Sequence, residues 1–600
     1  MAQIKGKGYA GQYLEVDLTN KSFKAVALDE KMARDYIGGR AMAVKMLLDA
    51  YGTNWGKVDP LGPEALLIFN LGPLNPFVAG KLNVTFKSPI NGIAYGSSVS
   101  TDMDADLKFA GWDGVVFKGK AATPTTVFIE DGKVTFKDAS ALTGKTREDI
   151  LNALYADYGH EIAPIYIGVG GEKLVKYAVA MSGPYRAAGR GGSGAVMGSK
   201  NLKAVVVKHS GPQPDVADQK GVDTMMDWCR VNPPITGFAR HEYGTTSGIY
   251  TTGNVRSSEP VRNWQTEWHD NVEVRGEMFA ADQWVRRYWG DYGCTVCCSK
   301  LGIVRDPASK FRGYVGELPD YESGALLGTN LGIFKRDEQL AVTDVADVYG
   351  LDIISHGNVL GWVCELQEKG ILTAAEVGVQ LKWGEPTGFL KLSEMIAKRQ
   401  GFGDVLAEGT VAASKKIGKD SFKLISQCKS LEMGAHGARS LKDKIELSYP
   451  MSTHGGDHTS NPANSKTIEA ALFTDSLVQC SFLALTQDQQ LQFLNAATGF
   501  NVTKDELNTV LLPRWATAQW MTNRMAGWTY ADDVNPARWY EPLPDGPFKG
   551  MSVDKAKEET AKQEYFKLLG WDAKGIPTTE SLKKYGLEAF EPAMAALRKA

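Results

Sequence analysis

Three of the chain's seven cysteines fall within five residues of the stretch YGCTVCCSKLG, residues 292–302. Cys294 and Cys297 form a CxxC and Cys298 follows directly. A disulfide, a zinc site, a redox thiol pair and an iron–sulfur cluster can all begin this way. The opening residues, MAQIKGKGYAGQ, lack the apolar core of a signal peptide. A cytoplasmic protein is therefore expected, where a structural disulfide is disfavoured. The scattered spacings of the other cysteines fit no disulfide framework either, which leaves metal binding or redox work for Cys294 and Cys297.

Four further stretches carry groups that could do chemistry. In YRAAGRGGSGAVMGSKNLKA (185–204), Gly189, Gly191, Gly192 and Gly194 permit close approach of a ligand to backbone, with Arg186 and Arg190 supplying charge. The stretch is not a P-loop, because that spacing is absent, and not a dinucleotide-binding fingerprint, because no acidic ribose ligand follows in the right context; such loops are turns more often than anion sites. In DVYGLDIISHGN (347–358), Asp347 and Asp352 flank Gly350-Leu351. They read either as a helix cap with a solvated carboxylate or as two acceptors for the amine donors of a heterocycle. DSLVQC sets Asp475 five residues before Cys480. Of eight histidines, His436, His454 and His458 share one segment. His454 and His458 have i,i+4 spacing, but Gly455 and Gly456 between them argue for a loop and against a helical zinc pair. A loop histidine is more often structural or solvated than a ligand.

The elements that must position these groups change character along the chain. Residues 1–210 are strand-rich: YLEVDLT, ALLIFNLG, IYIGVG and AVVVKH read as strands, and Asp131-Gly132 between two alternating runs marks a hairpin. Thr146 is placed to start a helix with Ile150, Leu151, Leu154 and Tyr158 on one face. Beyond 210 the periodicity is mostly helical, with breaks expected at RVNPPITG (230–237) and KWGEPTGF (382–389) and a capping box at Thr503 and Glu506. The fold class expected is α+β: a β-rich cofactor-binding domain at 1–210, then mainly helical domains at 211–425 (CxxC and DxxGLD) and 426–600 (DxxxxC). A net charge of −3 and 23% charged residues offer no field for nucleic acid or anionic membrane. No apolar run of about 18 residues is present, so no membrane span is expected.

Taken in order, IGGRAMA (37–43), GPLNPFVAGKLNVTFKSPING (72–92), LKFAGWDGVVFKGKA (107–121), the glycine-rich loop, the cysteine cluster, PDYES (319–323), DVYGLD, GFGDVLAEG (401–409) and DSLVQC resemble the aldehyde ferredoxin oxidoreductase family from end to end. The resemblance implies a tungsten bis-pterin centre, a nearby [4Fe–4S] cluster and Mg²⁺. Asp347 and Asp352, with Gly350 and Leu351, would serve one pterin and Asp475 the other. Arg186, Ala188, Gly189, Arg190 and Gly191 would help hold the pterin phosphates and Mg²⁺. Cys294, Cys297 and Cys480 would ligate the cluster, and Glu322 and His458 would face the metal.

The sequence departs from the family pattern at three places. Position 301, where relatives carry a third cysteine, is Leu301, leaving Cys298 as the nearby substitute for a cluster that needs four thiolates. Lys81 stands for an arginine that bridges cluster and pterin, keeping the charge but losing the bidentate fork. Ser98 stands where relatives have an asparagine beside Mg²⁺. The implied reaction is oxidation of an aldehyde to a carboxylic acid, with Glu322 as base and His458 stabilising charge on the carbonyl oxygen. Electrons would leave for ferredoxin or an iron–sulfur subunit, and an oligomer or multi-subunit complex is expected. The alternatives are a same-family reductase of an aromatic acyl-CoA or carboxylic acid, and a non-catalytic relay or scaffold subunit with a degenerate cluster.

Overall fold

A computed structural model describes residues 3–599. Twelve strands of the N-terminal region form two six-stranded mixed sheets. The first contains β1 (Gln12–Asp17), β2 (Ser22–Ala27), β3 (Leu67–Asn70), β4 (Leu82–Lys87), β5 (Ala94–Val99) and β6 (Gly114–Lys118), in the order β2-β1-β6-β3-β4-β5. The second contains β7 (Thr125–Glu130), β8 (Lys133–Asp138), β9 (Ala163–Ile167), β10 (Ala180–Ser182), β11 (Arg186–Ala188) and β12 (Leu202–Lys208), in the order β11-β10-β9-β12-β7-β8. The only parallel pairs in them are β1 with β6 and β12 with β7.

Period-two alternation explains the layers. Val115 and Phe117 of β6 join Val127, Ile165 and Val205 of the second sheet in one buried cluster, whereas Val116 faces the opposite way. Tyr166 and Val206 cover the outer face of the second sheet and meet Ile150, Leu151 and Leu154. Those three lie on the helix Arg147–Tyr158, which starts where the sequence places it, with the Thr146 hydroxyl accepting from Asp149 N–H at 3.2 Å. The hairpin at Asp131-Gly132 also forms.

The outer face of the first sheet is covered by helix Gly39–Tyr51 together with C-terminal helices. Ala43, Val44 and Leu47 share the largest apolar cluster with Leu472, Leu477, Trp515 and Trp520. The β-rich region and the end of the chain thus bury one core between them.

Three expectations are corrected. RVNPPITG does not break a helix, because Gln219–Thr236 runs through it. Pro233 has no N–H to give the Cys229 carbonyl, and the Thr295 hydroxyl donates there instead at 2.8 Å. The capping box at Thr503 is half made: Thr503 accepts from Glu506 N–H, but the Glu506 carboxylate pairs with Arg34 at 2.7 Å. The cysteine stretch is not in helical surroundings, since β13 (Val285–Trp289), β14 (Ser299–Ile303) and β15 (Val315–Glu317) form a three-stranded antiparallel sheet around it. Among the described residues no helix is long and apolar enough to cross a membrane.

Candidate active site

Position 301 is settled by that small sheet. Leu301 lies inside β14, paired with Arg287 and Glu317, so its side chain is committed to a strand. Cys298 sits just before the strand and lines a cavity of about 760 Å³ together with Cys294 and Cys480. Cys297 stays beside Cys294, its N–H 3.4 Å from the Cys294 sulfur. Gly290 leaves room for both, because a Cβ there would lie 2.9 Å from the sulfur of Cys294 and 3.2 Å from that of Cys297. Burial pushes the Cys298 thiol up to about 12, whereas the hydrogen bond with Cys294 and then the Lys300 charge bring Cys297 down to about 7. The remaining cysteines, Cys229, Cys364 and Cys428, are packed in apolar clusters. A thiolate-bound group therefore has four sulfurs on offer in one place.

Glu322 lines the same cavity, from the first turn of helix Tyr321–Leu326. Its Oε1 is 3.3 Å from His458 Nε2 and 3.2 Å from His436 Nε2, and its Oε2 accepts from Ala435 N–H at 2.9 Å. The donor atoms of the three side chains lie within 4.8 Å of one another. The two imidazoles stack, centroids 4.8 Å apart and planes 20° off parallel. Burial favours the neutral acid of Glu322, but His458, His436 and the Ala435 N–H outweigh it and hold the carboxyl down at about 2. Burial pushes His458 down to about 4. Burial would lower His436 too, but hydrogen bonds to Asp443 and Glu322 overcome it and raise the ring to about 9.

His436 and its partner Asp443 are site residues that the sequence reading did not select. His436 was visible only as one more histidine of the loop that carries His458; Asp443, seven residues on, belongs to no motif. The third histidine of that loop is structural. His454 is fully buried, stacked 4.0 Å from the Tyr95 ring and hydrogen-bonded to Asp457 at 3.0 Å.

The carboxylates and the glycine-rich loop divide in the same way. Asp347 is buried in the last turn of helix Arg336–Tyr349, and its carboxyl makes no hydrogen bond among the described residues. Burial, then the nearby Asp344, push it well above the usual carboxylate range. A buried carboxyl with no internal partner is available to an external hydrogen-bonding group. Asp352 is different: one oxygen caps helix Ile353–Glu368 at the Ile354 N–H (2.9 Å) and the other meets Arg190 Nε at 3.2 Å. Arg190 also donates to the carbonyls of Gly456 (3.0 Å) and Glu432 (2.6 Å), so its charge is consumed inside the protein. Gly350 is the left-handed residue ending helix 336–349, and Leu351 packs in a helical core.

Asp475 accepts from Arg40 at 3.1 Å and Ser98 at 3.2 Å, while Lys81 lines the cysteine cavity and donates to Ser100 at 2.8 Å. Arg186 also lines that cavity, paired with Asp320 at 3.1 Å and with Glu317. In the loop, a Cβ on Gly191 would lie 2.4 Å from the Tyr95 ring and one on Gly192 2.3 Å from the Lys176 carbonyl. Gly189 has only the Ala187 oxygen, at 3.8 Å, within reach, so it alone of the three faces open space. The Ala188 carbonyl accepts from Ser193 at 2.9 Å and the Ser98 hydroxyl donates to Asp475 at 3.2 Å, and nothing in these contacts supports the expected Mg²⁺.

Comparison with known proteins bears on the whole chain. Residues 13–209 match the sequence pattern described as aldehyde ferredoxin oxidoreductase, N-terminal domain, and residues 220–587 that of domains 2 and 3. A relative from Pyrococcus furiosus, described as an aliphatic sulfonate oxidoreductase, WOR-like subunit, is 39% identical over 96% of this chain and 97% of its own. A tungsten-containing aldehyde ferredoxin oxidoreductase from the same organism is 34% identical over 97% of this chain and all of its own. The active-site complex of benzoyl coenzyme A reductase with 1,5-dienoyl-CoA superposes with a TM-score of 0.80 over 99% of both chains at 22% identity, a likeness of fold.

Proposed function

The chain belongs to the aldehyde ferredoxin oxidoreductase family, and from that premise we propose that this tungsten-pterin oxidoreductase oxidises aldehydes to carboxylic acids. The observation that supports this reading best is that Glu322, with its two imidazoles, lines one cavity together with Cys294, Cys298 and Cys480. The reaction is RCHO + H₂O → RCOOH + 2 e⁻ + 2 H⁺. When bound, a bis-pterin metal supplies the electron acceptor and the Lewis acid, and a [4Fe–4S] cluster on the four thiols supplies one-electron exit to an iron–sulfur carrier or partner subunit. Lys81 and Arg186 would place positive charge beside those groups, and Asp347 and Asp475 would accept hydrogen bonds from the pterins.

The chain's own residues do the rest. Glu322 is ionised at neutral pH, the form needed to orient water through a hydrogen bond and to accept its proton. His458 is neutral there, and its Nε2, 3.3 Å from Glu322, is positioned to donate to a carbonyl oxygen bound beside that carboxylate. The test is aldehyde turnover with a viologen dye by anaerobically purified protein of measured tungsten and iron content. Glu322→Gln should keep both metals and lose turnover by at least about 10²-fold. Aldehyde oxidation at the wild-type rate by the Glu322→Gln variant would end this assignment.

A second reading is favoured by the 39% identical relative described as a sulfonate oxidoreductase. Arg186, Arg256 and Lys81 line the cavity with Glu322 and would suit an anionic substrate. Comparing turnover of an aliphatic sulfonate with that of an aldehyde, under the same dye, separates the two.

A further inference from the structure

A second cavity, of about 1040 Å³, lies against the one that holds Glu322 and the cysteines. Two consecutive residues, His458 and Thr459, line both, and among the described residues they are the only ones to do so. Thr459 is held in place, its N–H and its hydroxyl each 2.9 Å from Asp457 Oδ1. The cysteine end of the first cavity, with Lys81 and Arg186, is where the metal groups would sit, so a substrate for Glu322 needs another way in. The wall at Thr459 is where the second cavity comes up to the site.

This second cavity has a charge bias. Besides His458, its charged or titratable lining is Asp443, Lys444, Lys466, Lys584 and Tyr585. Asp443 is already paired, with His436 and with Arg256 at 3.1 Å. None of the three lysines forms an ion pair among the described residues: Lys444 donates to the His458 carbonyl at 2.7 Å and to Asn461 at 3.3 Å, and Lys584 lies over the Tyr585 ring. Lys444 is half-buried, whereas Lys466 and Lys584 are exposed, so the cavity opens to solvent beside them. Ile445, Ile468, Phe473, Leu485 and Leu512 add an apolar lining. A lysine is a point charge on a flexible stem, so the three attract an anion without fixing the plane of its oxygens.

We propose that the second cavity is the entrance and tail-binding compartment for the substrate, and that it selects aldehydes whose apolar stem ends in an anionic group. The aldehyde end passes Thr459 to reach Glu322 and His458, the stem lies along the apolar side chains, and the anionic end stays among the lysines. Lys444, bonded to the His458 carbonyl, belongs to the inner end of this compartment, and Lys466 and Lys584 to its mouth. The proposal rests on the aldehyde reading above for the reacting group, but the binding of an anionic tail in this compartment does not depend on it.

The experiment uses holoenzyme of measured tungsten and iron content. Turnover of octanal and of 8-oxooctanoate is measured under a viologen dye, and calorimetry follows binding of 8-hydroxyoctanoate, which carries the same tail and has no aldehyde to react. The double variant Lys466→Glu/Lys584→Glu should lose about 10-fold or more of kcat/KM for 8-oxooctanoate, through KM, with octanal nearly unchanged. Its affinity for 8-hydroxyoctanoate should fall in the same proportion, and added salt should weaken wild-type binding. Thr459→Phe, which narrows the passage, should slow both aldehydes at full metal content. Ala463→Trp, which obstructs the same cavity from an exposed position, should do so without disturbing the contacts to Asp457. No binding of 8-hydroxyoctanoate by wild type, or equal affinity in the double variant, would overturn the proposal whether or not any aldehyde is oxidised. If both aldehydes are inert while 8-hydroxyoctanoate binding depends on the two lysines, the aldehyde reading fails and the compartment stands. Wild-type turnover of both aldehydes by both Thr459→Phe and Ala463→Trp would overturn the entrance.

Discussion

At the residue scale the decisive fact is that one carboxylate, Glu322, is shared by a neutral ring and a charged one. The same charge arrangement sets a stability term. His436 titrates near 9 in the folded chain, above the roughly 6.5 of an unfolded histidine. A raised pKa contributes stability that is fully present below about pH 6.5 and lost as pH rises through about 9. Wild type should therefore exceed His436→Gln in stability by about 1–3 kcal/mol at pH 6, and the gap should close by about pH 9.5. Chemical denaturation at the two pH values measures it; a gap independent of pH would mean that the ring is neutral in the fold. Cys298 makes a second residue-scale prediction. With Leu301 held in β14 and Cys229, Cys364 and Cys428 sealed in apolar clusters, Cys298 is the remaining thiol beside Cys294, Cys297 and Cys480. Cys298→Ser should lose most of the protein's iron, as read by elemental analysis. Full iron in that variant would assign the fourth ligand elsewhere.

At the scale of elements, the glycine-rich loop does two jobs with neighbouring residues. Gly191 and Gly192 have φ of 81° and 94° and abut Tyr95 of the first sheet and the Lys176 carbonyl of the segment before β10, so the loop is packed tightly on both. Arg190, just before them, ties it to helix 353–368 and to the carbonyls of Glu432 and Gly456. Gly189 faces space. Gly191→Ala should cost at least about 2 kcal/mol, from left-handed strain plus the clash with the Tyr95 ring. Gly189→Ala should leave the melting temperature nearly unchanged and lower the tungsten content. Equal melting temperatures for the two variants would show that the loop tolerates a Cβ at both positions. The small sheet β13–β15 is the other functional element, because it fixes where the CxxCC turn ends and which thiols can meet.

At the scale of the molecule, the site lies where distant parts of the chain converge. Glu322 comes from a short helix, His436 and His458 from one long loop, and Cys480 from the residue after Gln479, which bridges to Gly80. Arg40 of helix 39–51 reaches Ser460 at 2.9 Å and Asp475 at 3.1 Å, so the first helices and the C-terminal third share a buried ionic contact as well as a core. Much of this was legible in the sequence. Strand alternation, the Asp131-Gly132 hairpin, the Thr146 cap and the family motifs follow from local spacing, because period-two burial, turn geometry and capping are set by residues a few positions apart. The three-stranded sheet, the helix running through Pro233 and the half-made cap at Thr503 were decided by tertiary partners: the β13–β15 pairings, the Thr295 hydroxyl and the Arg34 guanidinium. The same holds within the site. Sequence determined that Glu322, His458 and four cysteines were available for metal chemistry. Only the fold decided that Asp352 and Arg190 neutralise each other, that His454 is a core residue, and that His436 joins Glu322 to Asp443, because burial leaves no trace in local spacing, nor do contacts between residues as far apart as Arg190 and Asp352 (162 positions) or Glu322 and Ala435 (113 positions).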